Sequence, residues 1–244
     1  MTEKPDWRQQ RRQTAIQAIK DAARQQIAEN GAGKLSLGAI ARALGLTTPA
    51  LYRYFASRDA LVAALIVDAY GSMGQALEQA AEETFQDDHV DRFMAFVRAY
   101  RQWAVEFPED FALMYGLPTS DVEMPPEQLQ AFQSAALRSM RAMVQVLYAA
   151  YRDGCLAIPG PYHDPPPAVR QALTWMQSVL ENPEIPPDIL ALAFTTWIRA
   201  EGLIWQELHG RLSNTLFSTG EFYEMECAAL AERLGLGQKQ EQER

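Results

Sequence analysis

The chain has 244 residues, 48% hydrophobic and 22% charged, with a formal net charge of −9. That balance suits a folded globular protein and excludes a chain too polar to bury a core. No apolar run approaches the ~20 residues that span a bilayer, and the polar stretch Met1–Gln10 has no signal or transit pattern, so a soluble, cytoplasmic protein with no membrane partner is expected.

Helical periodicity dominates from end to end, with Pro and Gly falling between periodic runs. The first helix is expected from about Asp6 to Asn30, with Ile16, Ile19, Ala23 and Ile27 as its buried stripe and Asn30–Gly33 as its stop. A short helix follows from Ser36, as N-cap, to about Leu44, and Gly45 breaks it. A third begins near Thr47 or Thr48, tolerates Pro49 in its first turn and runs to about Tyr54. Ser57 can cap a fourth from Arg58 towards Ala81. Further helices are expected over about Val90–Phe107, Glu109–Tyr115, Pro126–Arg152, Ala168–Leu180, Pro187–Arg211 and Gly220–Leu234. The Pro- and Gly-rich stretch Asp153–Pro167 reads as a loop and Gln238–Arg244 as a polar tail. The fold class is therefore all-α: a three-helix head over 1–57, a helical body over 58–238 and a tail over 239–244.

The charge is not spread evenly. Residues 1–59 carry ten Lys/Arg against five Asp/Glu, a net +5, while residues 60–244 carry twelve against twenty-six, a net −14. A basic head on an acidic body is the electrostatic footprint of a polyanion binder. Cys155 and Cys227 are far apart and read as reduced thiols, and the three scattered histidines form no metal-ligand spacing. No metal, no cofactor and no catalytic constellation is expected, which argues against an enzyme.

Two short helices joined by a tight turn, following a longer one, form the helix-turn-helix plan. Its turn needs a left-handed residue, supplied by Gly45, and its inner face needs small apolar residues, supplied by Ala39, Ile40, Ala41, Leu44, Leu46, Leu51 and Phe55. The second helix can then enter a major groove, which makes Thr47, Thr48, Pro49, Ala50 and Arg53 groove candidates, with Ser36 at the start of the partner helix. Arg11, Arg12 and Lys20 are either phosphate contacts or a solvated face.

The stretch from Leu35 to Leu61, and above all Ala-Leu-Tyr-Arg-Tyr-Phe-Ala-Ser-Arg-Asp-Ala-Leu at 50–61, resembles the DNA-binding domain of TetR-type regulators. The resemblance covers about residues 10–67. It implies phosphate contacts from Thr47 and Tyr54, a backbone or thymine-methyl contact from Tyr52, and an Arg58–phosphate pair at the start of the fourth helix. Thr48 and Pro49 hold the positions that face base edges. Gly38 departs from the pattern, since it stands where family members often read a base and has no side chain.

The same resemblance implies a homodimer on a palindromic operator, with the last two helices as its interface. Leu192, Thr196, Ala200 and Leu203 of one and Tyr223, Cys227 and Leu230 of the other follow helical spacing; a plain intramolecular core face is the alternative. It also implies a small-molecule effector pocket among the middle helices. Candidates are Phe96, Tyr100, Trp103, Phe107, Met114, Met140, Met143, Trp175, Trp197 and Glu201, against the alternative that this Met and aromatic store is simply core. Glu201 either orients a ligand or pairs with Arg199. The function expected is a repressor released by an apolar or aromatic effector; an activator, an effector-independent regulator and a helical carrier or enzyme without a DNA role stay open.

Overall fold

Ile19, Ala23 and Ile27, at four-residue intervals, are the side chains that α1 (Trp7–Asn30) buries, as their spacing requires. A computed structural model of the chain describes residues 7–83, 88–116, 124–210 and 220–237, and among these there is no strand. A 3₁₀ turn at Ala32–Lys34 leads to α2 (Leu37–Ala43) and α3 (Thr48–Tyr52). The remaining helices are α4 (Arg58–Glu83), α5 (His89–Glu106), α6 (Pro108–Tyr115), α7 (Pro126–Arg152), α8 (Pro167–Val179), α9 (Pro187–His209) and α10 (Glu221–Arg233). The expected all-α architecture is what is found. Residues 117–123 of the Pro-bearing break expected at Leu117–Pro126, the end of the expected helix at Arg211 and the tail at 238–244 lie outside the described residues.

The chain forms two compact units. The first comprises Met1–Tyr70 and Phe107–Gln133, so the packing unit is larger than the 1–57 segment that carries the motif. Its core joins Ile19, Ala23 and Ile27 to Leu37, Ile40 and Ala41 of α2, Leu51 and Phe55 around α3, Leu61 and Leu65 of α4, and Leu113 of α6. Polar ties surround this core. The Lys20 ammonium donates to both Asp68 oxygens at 2.7 and 2.8 Å, and the Arg24 Nε donates to Asp110 Oδ1 at 3.0 Å. Burial pushes the Asp110 carboxyl above its ordinary range, and Arg24 opposes that shift.

The second unit comprises Gly71–Glu106 and Ser134–Arg244. Here α5, α9 and α10 pack on one another, and α8 lies on α9. Tyr100 stacks on Trp197 with ring centroids 4.7 Å apart, and the buried Tyr223 hydroxyl donates to the Val97 carbonyl at 2.8 Å. Gly220 begins α10 at φ +71°, where a Cβ would run into the Arg101 guanidinium that is paired with Glu207.

Helix α4 corrects one expectation. Its Arg58–Glu82 stretch is long and apolar enough, by composition alone, to cross a membrane, because the apolar residues are interleaved with few charges rather than gathered in one run. Over half of that window is buried inside the protein, which is where a core helix spends such residues.

Candidate nucleic-acid interface and the C-terminal unit

The helix-turn-helix builds itself from short-range bonds. Ser36 caps α2 from extended backbone, its hydroxyl accepting from the Ala39 N–H at 3.4 Å, while its own N–H donates to Gln26 Oε1. Gly45 turns the chain at φ +65°, and the Leu46 N–H reaches back to the Ala41 carbonyl at 2.8 Å, closing the end of α2. Thr47 then caps α3, its hydroxyl accepting from the Ala50 N–H at 3.3 Å, and Pro49 sits in the first turn where its missing N–H costs nothing.

The consequence is a helix with one face fixed and the other free. Leu51 is fully buried and Phe55 nearly so, while Thr47, Thr48, Pro49, Tyr52 and Arg53 are exposed and Ala50 is half-buried. The groove candidates therefore share the solvent side of α3, with Ser36 also exposed. The exposed Arg42 in the last turn of α2 adds a cation to this motif that the sequence reading passed over.

Three expectations change. Tyr54, expected to face outward, is half-buried against the core cluster, whereas Tyr52 is 50% exposed. Tyr54 stands three residues after the buried Leu51, on the side that meets the core, and its N–H donates to the Leu51 carbonyl at 2.8 Å. Arg58 is not a free cation: one nitrogen donates to the Ala32 carbonyl at 2.7 Å and another to Asp59 at 3.2 Å, so it ties α4 to the connection after α1. Lys20 is not a solvated group: its ammonium is held by Asp68. Arg8, Arg11 and Arg12 remain exposed on α1, with Arg8 and Arg11 over the Trp7 ring.

In the second unit the expected pocket residues divide. Phe96, Tyr100, Trp103, Met143 and Trp197 are buried, and Met140 and Glu201 are half-buried. Trp103 donates to the Ser72 hydroxyl at 3.1 Å and Tyr100 stacks on Trp197, which is how packed core residues behave. Phe107 and Met114 fall in the first unit, Phe107 exposed at the start of α6 and Met114 buried. Trp175 is an exposed residue of α8 rather than part of that aromatic store. Desolvation raises the Glu201 carboxyl above its usual range, and no ion pair to Arg199 is found among the described residues.

The expected dimer residues divide as well. Leu192, Thr196, Ala200, Tyr223 and Cys227 are already buried within one chain, while Leu203 and Leu230 are half-buried. Alongside them, a cavity of about 430 Å³ opens on α9 and α10, lined by Leu203, Leu230, Ile198 and Gly202 among others. Ile198 is 63% exposed, and the buried Thr196 hydroxyl has no hydrogen-bond partner among the described residues.

Burial pushes the Cys227 thiol from an ordinary value near 9 up to about 12, with Glu224 and Glu226 also raising it. The folded chain thus keeps a proton that the unfolded chain loses near pH 9. Stability attributable to this group is complete below that point and is lost as pH rises from there towards about 12, by on the order of 1 kcal/mol per pH unit. Denaturant unfolding at pH 8 and pH 10 should show that fall, and Cys227→Ala should flatten it; an unchanged pH slope in the variant assigns the loss elsewhere.

Comparison with known proteins agrees with this geometry. Residues 19–65 match the model of the tetR family of bacterial regulatory proteins, and residues 93–230 match the Tetracyclin repressor-like C-terminal domain. HTH-type transcriptional regulators of Mycobacterium bovis (Mb1846) and Mycobacterium tuberculosis (Rv1816) are 42% identical over 110 residues, 45% of this chain and 47% of theirs. The chain thus spans about half the length of the curated relatives it matches. Among solved structures, the regulatory protein SCO4313 is 30% identical at a TM-score of 0.73, covering 94% of this chain and 100% of that one. A regulatory protein in the tetR family from Rhodococcus RHA1 shares the fold at a TM-score of 0.64 and 19% identity, covering 91% of this chain and 98% of its own. With its C-terminal match alone taking in more than half of the sequence, the chain belongs to the TetR family of bacterial regulatory proteins.

Proposed function

We propose that this protein is a cytoplasmic transcriptional repressor that binds a palindromic operator as a homodimer and lets go when a small apolar or aromatic effector occupies its C-terminal unit. The observation that carries the reading is the exposed face of α3: Thr48, Pro49, Tyr52 and Arg53 stand free while Leu51 and Phe55 anchor the opposite side. A five-residue helix with that division is suited to enter a major groove with its N-terminal residues against base edges. Exposed Arg8, Arg11, Arg12 and Arg42 supply cations for phosphates.

One such helix reads only a few base pairs, so two copies are needed for a specific site. The open cavity on α9 and α10, with exposed Ile198 and the side-chain-free Gly202, favours close approach of a second copy's helices. Helix α4 carries the chain without a break from the first unit into the second, giving an effector in one a covalent route to the other. The effector then acts by binding better to the conformation that holds DNA poorly.

A gel-shift titration of the full chain against the DNA upstream of its own gene tests this. Binding should weaken as a straight line of log affinity against log salt, with a slope set by the number of neutralised phosphates. Absence of salt-sensitive binding there would overturn the reading.

A further inference from the structure

Helix α8 leaves an apolar face exposed. Val169, Ala172 and Trp175 recur at three-residue spacing, and Trp175 keeps 64% of its surface open. This face forms one wall of a cavity of about 650 Å³, with Ala191 and Phe194 of α9 opposite and the segment around Pro161–Pro166 at the rim. The volume lies in the range of small-molecule sites, roughly 300–1,000 Å³.

The chemistry of the walls narrows the occupant. No lining residue carries a charge at neutral pH. The Thr195 hydroxyl donates to the Ala191 carbonyl of its own helix at 2.9 Å, which leaves the Tyr162 phenol as the polar group at hand. Charged groups just outside are engaged with one another: Arg170 donates to Asp164 at 2.6 Å and to the Pro165 carbonyl at 3.3 Å, and His163 lies 3.1 Å from Asp188. Those contacts fasten the rim to both α8 and α9. Prolines 159, 161, 165, 166 and 167 restrict it further, so the wall is formed before any ligand arrives and little ordering entropy remains to be lost on binding.

We infer that this cavity between α8, α9 and the proline-rich segment is a binding site for an uncharged, flat aromatic molecule, stacked on the Trp175 indole with at most one hydrogen bond, to Tyr162. The inference rests on the effector-released reading and moves its site away from the packed Phe96, Tyr100, Trp103 and Trp197 to the α8–α9 cavity. A charged ligand finds no counter-ion there, and burying its charge would cost more than stacking returns.

The test uses N-phenyl-1-naphthylamine, an uncharged probe that can stack its flat naphthyl ring, titrated into the full chain without DNA and followed by its fluorescence. Saturable binding of one probe per chain is expected. Ala172→Trp, which fills the cavity from an exposed helical position, and Val169→Glu, which puts a charge on its wall, should each weaken binding at least about tenfold with the thermal melt unchanged. The anionic anilinonaphthalene sulfonate should bind the unaltered protein at least about tenfold more weakly than the neutral probe. Undiminished neutral-probe binding in both variants overturns the site. So does a change from two-chain to one-chain species on sedimentation of Ala172→Trp, since a second copy would then be the occupant. Repeating the titration with operator DNA separates the two readings: probe binding that leaves DNA bound upholds the cavity and removes effector release.

Discussion

Arg53→Ala should lower operator affinity by about ten- to a hundredfold, the cost of one side chain that reads a base edge. Arg53 ends α3, is exposed, and has no ion-pair partner among the described residues, so its guanidinium is free to meet DNA. Thr48→Ala should cost less in affinity but blur base preference at one position in each half-site, because Thr48 lies in the first turn of the helix expected to enter the groove. Arg12→Ala, on the exposed side of α1, should weaken binding to all sequences alike and lower the salt slope by about one unit. The three responses differ in kind, so they are best read from binding isotherms on matched and mismatched half-sites at two salt concentrations. Equal, sequence-independent losses from Arg53→Ala and Thr48→Ala would mean that α3 touches only the backbone of DNA.

Arg58 shows why charge alone misleads. Its position in the family-like motif implies a phosphate contact, and within the chain two of its nitrogens also donate to the Ala32 carbonyl and to Asp59. The partner carbonyl is 26 residues away, and nothing in the local sequence announces it. Lys20 is the same case at greater range, since Asp68 is 48 residues distant. By contrast, the caps at Ser36 and Ser57 and the left-handed Gly45 were legible because each depends on residues within four or five positions. Periodicity also carried the helices of the second unit nearly to their ends. It could not say which side of an apolar stripe meets a neighbour: Tyr100 and Trp103 share their spacing with core residues, and the exposed Trp175 has the same composition signal as the buried Trp197. Tyr54 is a related case: its place in the motif implies an outward phosphate contact, yet it lies three residues after the buried Leu51 and packs against the core.

Leu51→Ala should do more damage than any contact substitution. A five-residue helix has no stability of its own, because nucleating a helical turn costs more than so few bonds return. What holds α3 is the side chain of Leu51, with 0% of its surface exposed, set among Ile40, Ala41 and Phe55. Its carbonyl also accepts from the N–H groups of Tyr54 and Phe55 at 2.8 and 3.2 Å, so it fixes the turn that follows. Truncation to alanine should cost about 2–5 kcal/mol of the first unit's stability, a large share of what a small domain holds. Operator binding should then fall with every proposed contact residue still in place, whereas Leu51→Met, which keeps the volume, should cost less than about 1.5 kcal/mol and bind DNA. The α8–α9 cavity lies in the second unit, so probe binding there should survive Leu51→Ala and report that this unit remains folded. Unaltered melting and unaltered operator affinity in Leu51→Ala would show that α3 does not depend on its buried face, and with that the argument for its exposed face would fall.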